Sequence, residues 1–317
     1  MANIIEIQGL TKKYGDLTAL NDLTLNIEEG AVFGFVGPNG AGKTTTMRII
    51  TTLLKPTSGT VRVAGYSVLD DPRGVRRTIG YMPDFFGVYD DMKVWEYLDF
   101  FAACYDVPAN SRKSMIDDLL ALVDLGHKRE DYVESLSRGM KQRLCLARTL
   151  AHDPQILILD EPASGLDPRA RIEIRELLRE LKTMGKTIFF SSHILSEVAD
   201  ICTSIAIMEA GNLVVHGDID EMMSQLRVHR LIEVRVLGDI TPLQEILLRT
   251  ADVESIVAGE EAELAPDTVR FDFGGDDEAL SQLLNYLVNN GIKIISFNED
   301  VGDLEDVFLQ LTKGIVN

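Results

Sequence analysis

The stretch GPNGAGKTT at residues 37–45 has the composition and spacing of a phosphate-binding loop. It fits the pattern G-x-x-x-x-G-K-[ST], directly after a short apolar run and before a segment of helical character. Its glycines let the backbone curl so that N–H groups converge on phosphate oxygens. Lys43 is placed to reach the β- and γ-phosphates of a nucleoside triphosphate, and the Thr44 hydroxyl to bind Mg²⁺. The residues expected to contact the nucleotide are Gly37, Pro38, Asn39, Gly40, Ala41, Gly42, Lys43, Thr44 and Thr45.

Two adjacent carboxylates follow another apolar run, in ILILDEP at residues 156–162. Ligands gather at the carboxyl ends of strands in parallel sheets, so we expect Asp160 to hold Mg²⁺, directly or through water. Glu161 would orient and deprotonate an attacking water. His193 follows a later apolar run, where its ring can hydrogen-bond a γ-phosphate and the water held by Glu161. Each of these side chains alone could be ordinary surface, but together with the glycine-rich loop they predict a nucleotide-hydrolysing site.

A second candidate anion site lies far along the chain from the first. In VESLSRGMKQRLCLART, at residues 133–149, Ser137-Arg138-Gly139 opens a segment that reads as a helix. A helix start of this kind suits an anion. The chain therefore carries two phosphate-binding candidates, and their separation needs an explanation.

The elements that must position these residues alternate between strands and helices. The runs AVFGFVG, QILILDEP and KTIFFSSH predict buried strands, and KTTTMRIITTLL and RARIEIRELLRELKTMG predict helices between them. This alternation implies a largely parallel sheet covered by helices. Residues 94–149 place apolar side chains at helical spacings, and Gly126 is a predicted helix stop.

The pattern changes near Asp218. The run LIEVRVL alternates, with Ile232, Val234 and Val236 on one face, and the following segments predict the order β-α-β-β-α-β, ending in a helix at residues 304–314. That order favours a small α+β domain, for which a ferredoxin-like fold is the candidate. Residues typical of a catalytic site are not found together in this part of the sequence.

Composition narrows the classes of protein. With 317 residues, 45% of them hydrophobic, the chain is long enough to form a large core, and we expect two domains. Apolar runs are too short for a membrane helix, and the N-terminus does not resemble a signal peptide, so we expect a cytosolic protein. The net charge of −19 argues against binding nucleic acid. Acidic residues outnumber basic ones strongly after Ala251, which is typical of a solvated acidic face. The three cysteines have no metal-ligand spacing and are expected to be reduced.

Five motifs, which follow one another along the chain in the family's order, make residues 3–218 resemble the ATP-binding subunit of an ABC transporter. In that family the motif L-S-G-G-Q, here Leu136 to Met140, completes the ATP site of the opposite subunit. The resemblance thus explains the two phosphate-binding candidates, since Ser137 and Gly139 would contact the partner's nucleotide. It also implies that Tyr14 stacks on adenine, although a lone tyrosine could equally be packing. The segment SGLDP at residues 164–168 would join the two sites across the dimer, with Asp167 as its polar contact.

The resemblance implies an α/β fold of the P-loop NTPase type, with a mixed sheet and a helical subdomain at about residues 85–150. The domains would be an ATP-binding cassette at residues 1–218 and an accessory α+β domain at residues 219–317. It also implies ATP and Mg²⁺ as cofactors, a head-to-tail homodimer, and an integral membrane permease as partner. The protein would lie on the inner face of the cell membrane. Subunits of this layout pair with export-type permeases of bacteria.

Three residues depart from the family pattern. Asp84 stands where a glutamine commonly touches Mg²⁺ and the attacking water and links the site to the membrane partner. Aspartate can still ligate Mg²⁺, but it is shorter, and it could instead cap a turn. Arg138 and Met140 replace a glycine and a glutamine, and Arg138 could assist the site or face the helical subdomain. The resemblance thus assigns catalytic roles to Glu161, His193, Lys43 and Asp84, and interface roles to Ser137, Arg138, Gly139 and Asp167.

Two alternatives remain open from the sequence. One is a soluble ATPase of the same type that acts outside membrane transport, although such proteins usually carry two cassettes or a long coiled coil, and this chain has no sustained heptads. The other is a regulatory module that binds a nucleotide without hydrolysing it, against which Glu161 and His193 argue together.

Overall fold

The fold is described from a computed structural model, which covers residues 2–85, 87, 89, 91–219, 222, 230–258 and 265–300. The chain divides into two compact units, the first extending to Ile219 and the second beginning at Asp220. In chain order the elements of the first unit are β1 (Asn3–Tyr14), β2 (Leu17–Glu28), β3 (Val32–Val36), α1 (Lys43–Ile50), β4 (Ser58–Val63), β5 (Tyr66–Ser67), α2 (Pro72–Thr78), β6 (Ile79–Met82), α3 (Val94–Cys104), α4 (Ala109–Leu122), α5 (Arg138–Leu150), β7 (Ile156–Leu159), α6 (Pro168–Thr183), β8 (Thr187–Ser192), α7 (Leu195–Ala199), β9 (Ser204–Glu209) and β10 (Asn212–Asp218).

The central sheet of the first unit has six strands in the order β10-β9-β3-β8-β7-β6. Neighbouring strands from β9 to β6 are parallel, and only the edge strand β10 is antiparallel. Every residue of β3, β7 and β8 is buried, which is why these strands appear in the sequence as continuous apolar runs. The predicted sheet of parallel strands is confirmed.

A second, antiparallel sheet of the first unit has the order β2-β1-β4-β5. Its inward side chains, including Ile5 and Ile7, belong to the same hydrophobic cluster as Phe35 and Phe189 of the central sheet. The rings of Phe35 and Phe189 lie 5.3 Å apart. The two sheets therefore share one core, and the polar ends of the central strands are left at its rim.

Helices α3, α4 and α5 pack against one another in the middle of the chain. Tyr97 is fully buried there, and its hydroxyl accepts a hydrogen bond of 3.2 Å from Arg148 Nη1. The prediction that Gly126 stops a helix is wrong. Helix α4 ends at Leu122, and Asp124 takes the left-handed conformation, φ 51°, that closes the helix. An aspartate is one of the few side chains that tolerate this conformation, so the sequence pattern pointed to the wrong residue.

The second unit contains β11 (Arg230–Val236), α8 (Thr241–Leu247), β12 (Val253–Ala258), β13 (Thr268–Phe273), α9 (Asp277–Asn289) and β14 (Ile294–Asp300). Its antiparallel sheet has the order β12-β13-β11-β14, which with this chain order is that of a ferredoxin-like fold. Ile232, Val234 and Val236 are buried against Leu243 and Leu287 of the two helices. The predicted helix at residues 304–314 lies outside the described residues.

Candidate active site

Four neighbouring strands of the central sheet end at the residues that the sequence singled out. The loop at residues 37–45 follows β3, Asp160 and Glu161 follow β7, and His193 follows β8. Asp84 comes two residues after β6. Because the strands are parallel, their carboxyl ends meet at one edge of the sheet, and the Asp160 N–H donates to the last residue of β6, Met82 O, at 2.8 Å. The fold therefore brings the predicted catalytic residues together.

The glycine-rich loop has room for backbone but none for side chains at two positions. A Cβ on Gly37 would lie 2.3 Å from Met208 O, and a Cβ on Gly42 would lie 2.8 Å from Ala19 O. Gly40 and Gly42 have φ of 83° and 103°, and Gly42 is the residue before α1. The loop thus turns into the start of a helix, a geometry in which backbone N–H groups can converge on an anion. Such a turn suits the phosphates of a nucleoside triphosphate.

Lys43 is held at the mouth of this loop. Its Nζ donates to Gly37 O at 2.5 Å and to Pro38 O at 3.2 Å, and it lies 3.5 Å from Glu161 Oε1. The residue is only 6% exposed. Burial lowers the pKa of Lys43, and the carboxylate of Glu161 opposes that shift. The ammonium group therefore lies between the phosphate loop and the candidate base.

Asp160 is fully buried, and only one of its two carboxylate oxygens accepts a hydrogen bond from the described residues. Its Oδ1 accepts a hydrogen bond of 2.7 Å from Ser191 Oγ, whereas Oδ2 has no hydrogen-bond partner among the residues that the structure describes. Burial raises the pKa of Asp160, and the hydroxyls of Ser191 and Thr44 partly oppose this shift. A buried carboxylate oxygen without a partner suits a hard cation, and Mg²⁺ typically takes one or two protein oxygens together with substrate phosphates. Thr44 and Asp160 fit that requirement.

The side chains of Glu161 and His193 are in contact. Glu161 Oε2 lies 2.7 Å from His193 Nδ1. The backbone of Glu161 has φ 51°, a left-handed conformation that costs a non-glycine residue about 1–3 kcal/mol. Its N–H donates to Ser191 Oγ at 2.9 Å, which holds it in place. The strained backbone directs Glu161 toward Lys43 and His193, where it can act on a water molecule.

Ser191 is a site residue that the sequence analysis missed. Its hydroxyl accepts from the Glu161 N–H and donates to Asp160 Oδ1, so it joins the two carboxylate residues. The only signal in the sequence is a polar residue at the end of a buried run, two residues before His193. Such a position does not reveal which neighbouring strand the hydroxyl faces.

Asp84 lies at the same edge of the sheet and is exposed. Its negative charge acts on the pKa of both Lys43 and Asp160 and raises them, which shows that it is near these groups. Part of the segment from Asp84 to Tyr89 lies outside the described residues. The role of Asp84 in binding Mg²⁺ stays a prediction.

Ser137 is the residue that precedes α5 and caps its N-terminus. Its Oγ accepts the Met140 N–H at 3.3 Å, so it caps the helix. Within the described part of the chain, no hydrogen bond or ion pair joins Ser137 or Gly139 to residues 37–45. Gly139 instead approaches α6, since a Cβ there would lie 3.2 Å from Ala170 Cβ. The second phosphate-binding candidate is thus a separate feature within one chain.

The two remaining predicted contacts lie on exposed edges. Tyr14, at the end of β1, is 48% exposed, and Lys12 Nζ lies 5.0 Å from the centre of its ring. Asp167 caps α6 by accepting the Ala170 N–H at 2.9 Å. Stacking of Tyr14 on a base and a contact of Asp167 across a dimer stay predictions.

Comparison with known proteins places these features in a family. The family model described as "ABC transporter" matches residues 20–164. Over 98% of its length the chain is 32% identical to a Nod factor export ATP-binding protein I of Ralstonia nicotianae, covering 94% of that protein. Over 99% of both lengths it is 33% identical to a bacitracin transport ATP-binding protein of Bacillus licheniformis.

Solved structures agree with this similarity. The structure of an ATP-binding subunit of an ABC transporter matches 71% of this chain and 93% of its own, with 29% identity and a TM-score of 0.64. The dimeric structure of an ATP-binding cassette with bound ADP and Pi matches 68% of this chain and 98% of its own, with 26% identity and a TM-score of 0.62.

Proposed function

The chain belongs to the ATP-binding, ATP-hydrolysing subunits of ABC transporters, and on that premise we propose that two copies form a head-to-tail dimer that drives export through a separate membrane permease. The observation that carries the proposal is the division of phosphate-binding features within one chain. One half-site comprises the glycine-rich loop with Asp160, Glu161 and His193, and the other is the helix start at Ser137. Twofold symmetry would join unlike halves into two complete sites.

In each site the loop at residues 37–45 and Lys43 bind the β- and γ-phosphates. Thr44 and Asp160 would hold Mg²⁺, which neutralises charge on the phosphates when bound. Glu161 accepts a proton from water as the water oxygen attacks the γ-phosphorus. The bond from that phosphorus to the bridging oxygen breaks, and ADP and inorganic phosphate are the products. His193, through its contact with Glu161 Oε2, keeps the carboxylate oriented toward the water.

The Ser137 hydroxyl and the N–H groups at the start of α5 would bind the γ-phosphate held by the partner chain. ATP then binds the closed dimer better than the open one, and that difference in affinity drives closure. Once hydrolysis has separated the γ-phosphate from ADP, this contact no longer joins the two chains. The dimer opens, and the cycle can repeat.

The permease is proposed as the partner because of an exposed aromatic surface beside the site. Phe85, next to Asp84, is 89% exposed. Nearby, the side chains of Arg48, Tyr81, Phe101 and Arg148 line a cleft between the central sheet and the helical part of the first unit. None of the helices within the described residues combines the length and the hydrophobicity of a membrane span. We place the protein at the inner face of the membrane, where the segment at residues 84–89 would transmit the motion to the permease. Export as the direction is supported by the similarity to a Nod factor export ATP-binding protein.

Changing Glu161 to glutamine tests the catalytic assignment. The variant should bind ATP and accumulate as a dimer, while turnover falls by about 10²–10⁴-fold because the base is lost. Size-exclusion chromatography with ATP and a phosphate-release assay measure the two effects. Glu180→Gln, an exposed carboxylate on α6, is the matched control. A Glu161→Gln monomer that hydrolyses ATP at the wild-type rate contradicts the proposal.

A mixing experiment tests the sharing of sites. Ser137→Phe should also be inactive, because the bulky side chain blocks the partner's nucleotide, although each monomer still binds ATP. In a mixed dimer of Glu161→Gln and Ser137→Phe chains, one site combines an intact Glu161 with an intact Ser137. An equal mixture should therefore recover about a quarter of wild-type activity, since half the dimers are mixed and each has one good site. No recovery on mixing, with both variants folded, refutes the shared site.

A further inference from the structure

Two side chains of α5 fasten that helix to the segment that follows Glu161. Gln142, which is buried, donates from Nε2 to Pro162 O at 2.8 Å. Arg138 donates from Nη2 to Ser164 O at 3.1 Å. Because residues four apart lie on the same face of a helix, both bonds point in one direction. The first turns of α5 and residues 162–164 are thus joined at two points.

The Arg138 guanidinium also lies against the backbone of Gly165. A Cβ on Gly165 would be 2.3 Å from Arg138 Nη2 and 2.5 Å from Cζ. Gly165 has φ 67°, so glycine suits the position for its conformation as well as for the space. A glycine at position 138 could make neither the hydrogen bond to Ser164 nor this contact. The contact is therefore specific to the arginine that departs from the family motif.

The segment contacted by Arg138 begins at the candidate base. The Ser164 N–H donates to Glu161 O at 3.1 Å, which closes a turn over residues 161–164. Arg138 directly follows Ser137, the residue that would bind the partner's nucleotide. A continuous series of contacts therefore runs from Glu161, through Ser164 and Arg138, to Ser137. In the dimer proposed above, on which this step rests, Glu161 and Ser137 of one chain serve different ATP sites.

We propose that Arg138 is a positioning residue that couples the two ATP sites. Through its hydrogen bond to Ser164, Arg138 links the start of α5 to the turn at residues 161–164 of the same chain, so that the two segments move together. A displacement of the turn beside Glu161 therefore also displaces the start of α5, which completes the other ATP site. Such coupling is a difference in binding free energy between sites, so it should appear as cooperative dependence of the ATPase rate on ATP concentration.

Arg138→Ala is expected to reduce the Hill coefficient of ATP hydrolysis from above 1 to about 1 and to lower kcat/KM by about fivefold, the worth of one hydrogen bond. Arg138→Lys keeps a donor for Ser164 O and should retain part of the cooperativity. The thermal midpoint, followed by the fluorescence of Trp95 in α3, should fall by no more than about 2–4 °C in either variant, since a single hydrogen bond is lost. Arg77→Ala, which removes an exposed arginine from α2, is the control and should behave as wild type.

Gly165 allows a second, independent variant. A methyl group in Gly165→Ala must displace the guanidinium, so this change should also lower the Hill coefficient. In the Arg138→Ala background the same change should have a smaller effect on kcat/KM, because the clash is gone and only the left-handed backbone remains unfavourable. Additive effects of the two substitutions contradict the proposed contact.

The test separates this proposal from the dimer on which it rests. The double variant Glu161→Gln/Arg138→Ala should still form the ATP-bound dimer, since Ser137 and Gly139 are unchanged. A Hill coefficient near 1 in the wild type, or one above 1 that Arg138→Ala leaves unaltered, overturns the role of Arg138 while that dimer persists. If Glu161→Gln alone forms no dimer with ATP, the proposed function itself fails.

Discussion

Replacing Asp160 by asparagine is expected to stabilise the nucleotide-free protein while abolishing its use of Mg²⁺. Asp160 is fully buried, and its Oδ2 has no hydrogen-bond partner among the described residues. An unpaired, buried polar group typically costs about 1–3 kcal/mol. The amide of asparagine also lacks a partner, but it carries no charge, and a buried charge costs more than a buried neutral group. We therefore expect the substitution to raise the free energy of unfolding by about 1–2 kcal/mol.

The pH dependence of this effect has a definite sign. Burial raises the pKa of Asp160 above 3.8, so between that value and the raised pKa the folded chain holds more protons than the unfolded chain. The contribution of Asp160 to stability therefore falls as the pH rises through this window and recovers as the pH falls. Asparagine does not titrate. The advantage of Asp160→Asn should be largest near neutral pH and should shrink toward the window.

Thermal unfolding provides the assay. Trp95 is the only tryptophan of the chain and belongs to α3, so its fluorescence follows the first unit alone. For a unit of this size, a gain of about 1–2 kcal/mol raises Tm by about 2–8 °C. Mg²⁺ and ATP should reverse the order of the two proteins, because a ligand stabilises the folded state to which it binds and the variant lacks the carboxylate for the cation.

A matched carboxylate serves as the control. Asp71 is exposed and caps α2 by accepting the Gly74 N–H at 2.8 Å, and asparagine caps a helix equally well. Asp71→Asn should therefore leave Tm and its response to Mg²⁺ and ATP unchanged. If Asp160→Asn melts below the wild type without nucleotide, or gains as much as the wild type from Mg²⁺ and ATP, the assignment of Asp160 is refuted.

Three further predictions concern other residues of the first unit. Ser191→Ala removes two hydrogen bonds that hold Asp160 and the Glu161 backbone, so it should lower the free energy of unfolding by about 2–4 kcal/mol and reduce kcat more than it changes ATP affinity; an unchanged kcat in steady-state assays contradicts the role. Tyr14→Ala should raise the KM for ATP by about 5–150-fold, since base stacking on an aromatic ring is worth about 1–3 kcal/mol, while Tyr14→Trp should not; equal KM values for all three proteins exclude stacking. Gly80→Ala places a Cβ 2.4 Å from Thr149 O and should destabilise the unit by about 1–3 kcal/mol, visible as a lower denaturant midpoint; an unaltered midpoint shows that β6 and α5 can separate at little cost.

The sequence predicted well those features that arise from short-range patterns. The strands β3, β7 and β8 are buried on both sides, so they appear as uninterrupted apolar runs with polar residues at their ends. The glycine-rich loop and the carboxylates after β7 could be identified for the same reason. Because the carboxyl ends of parallel strands meet at one edge of the sheet, the proximity of these residues could also be predicted.

Features that depend on contacts between distant segments were missed. The hydroxyl of Ser191 faces Asp160 because β8 lies beside β7, and the sequence contains no sign of that register. The direction of the Arg138 side chain was left open, and the structure places it on Ser164 and Gly165. The prediction that Gly126 ends helix α4 was wrong for a local reason. Asp124 adopts the left-handed conformation that glycine usually adopts at the end of a helix.

The hydroxyl of Ser191 has a single hydrogen, and this determines the direction of the hydrogen bonds between Glu161, Ser191 and Asp160. The Glu161 amide can only donate, so the hydroxyl must turn its own proton toward Asp160. Asp160 Oδ1 is therefore compelled to accept, whatever the occupancy of its other oxygen. Among the twenty amino acids only serine and threonine offer such a small hydroxyl, so natural variation at this position should be confined to these two.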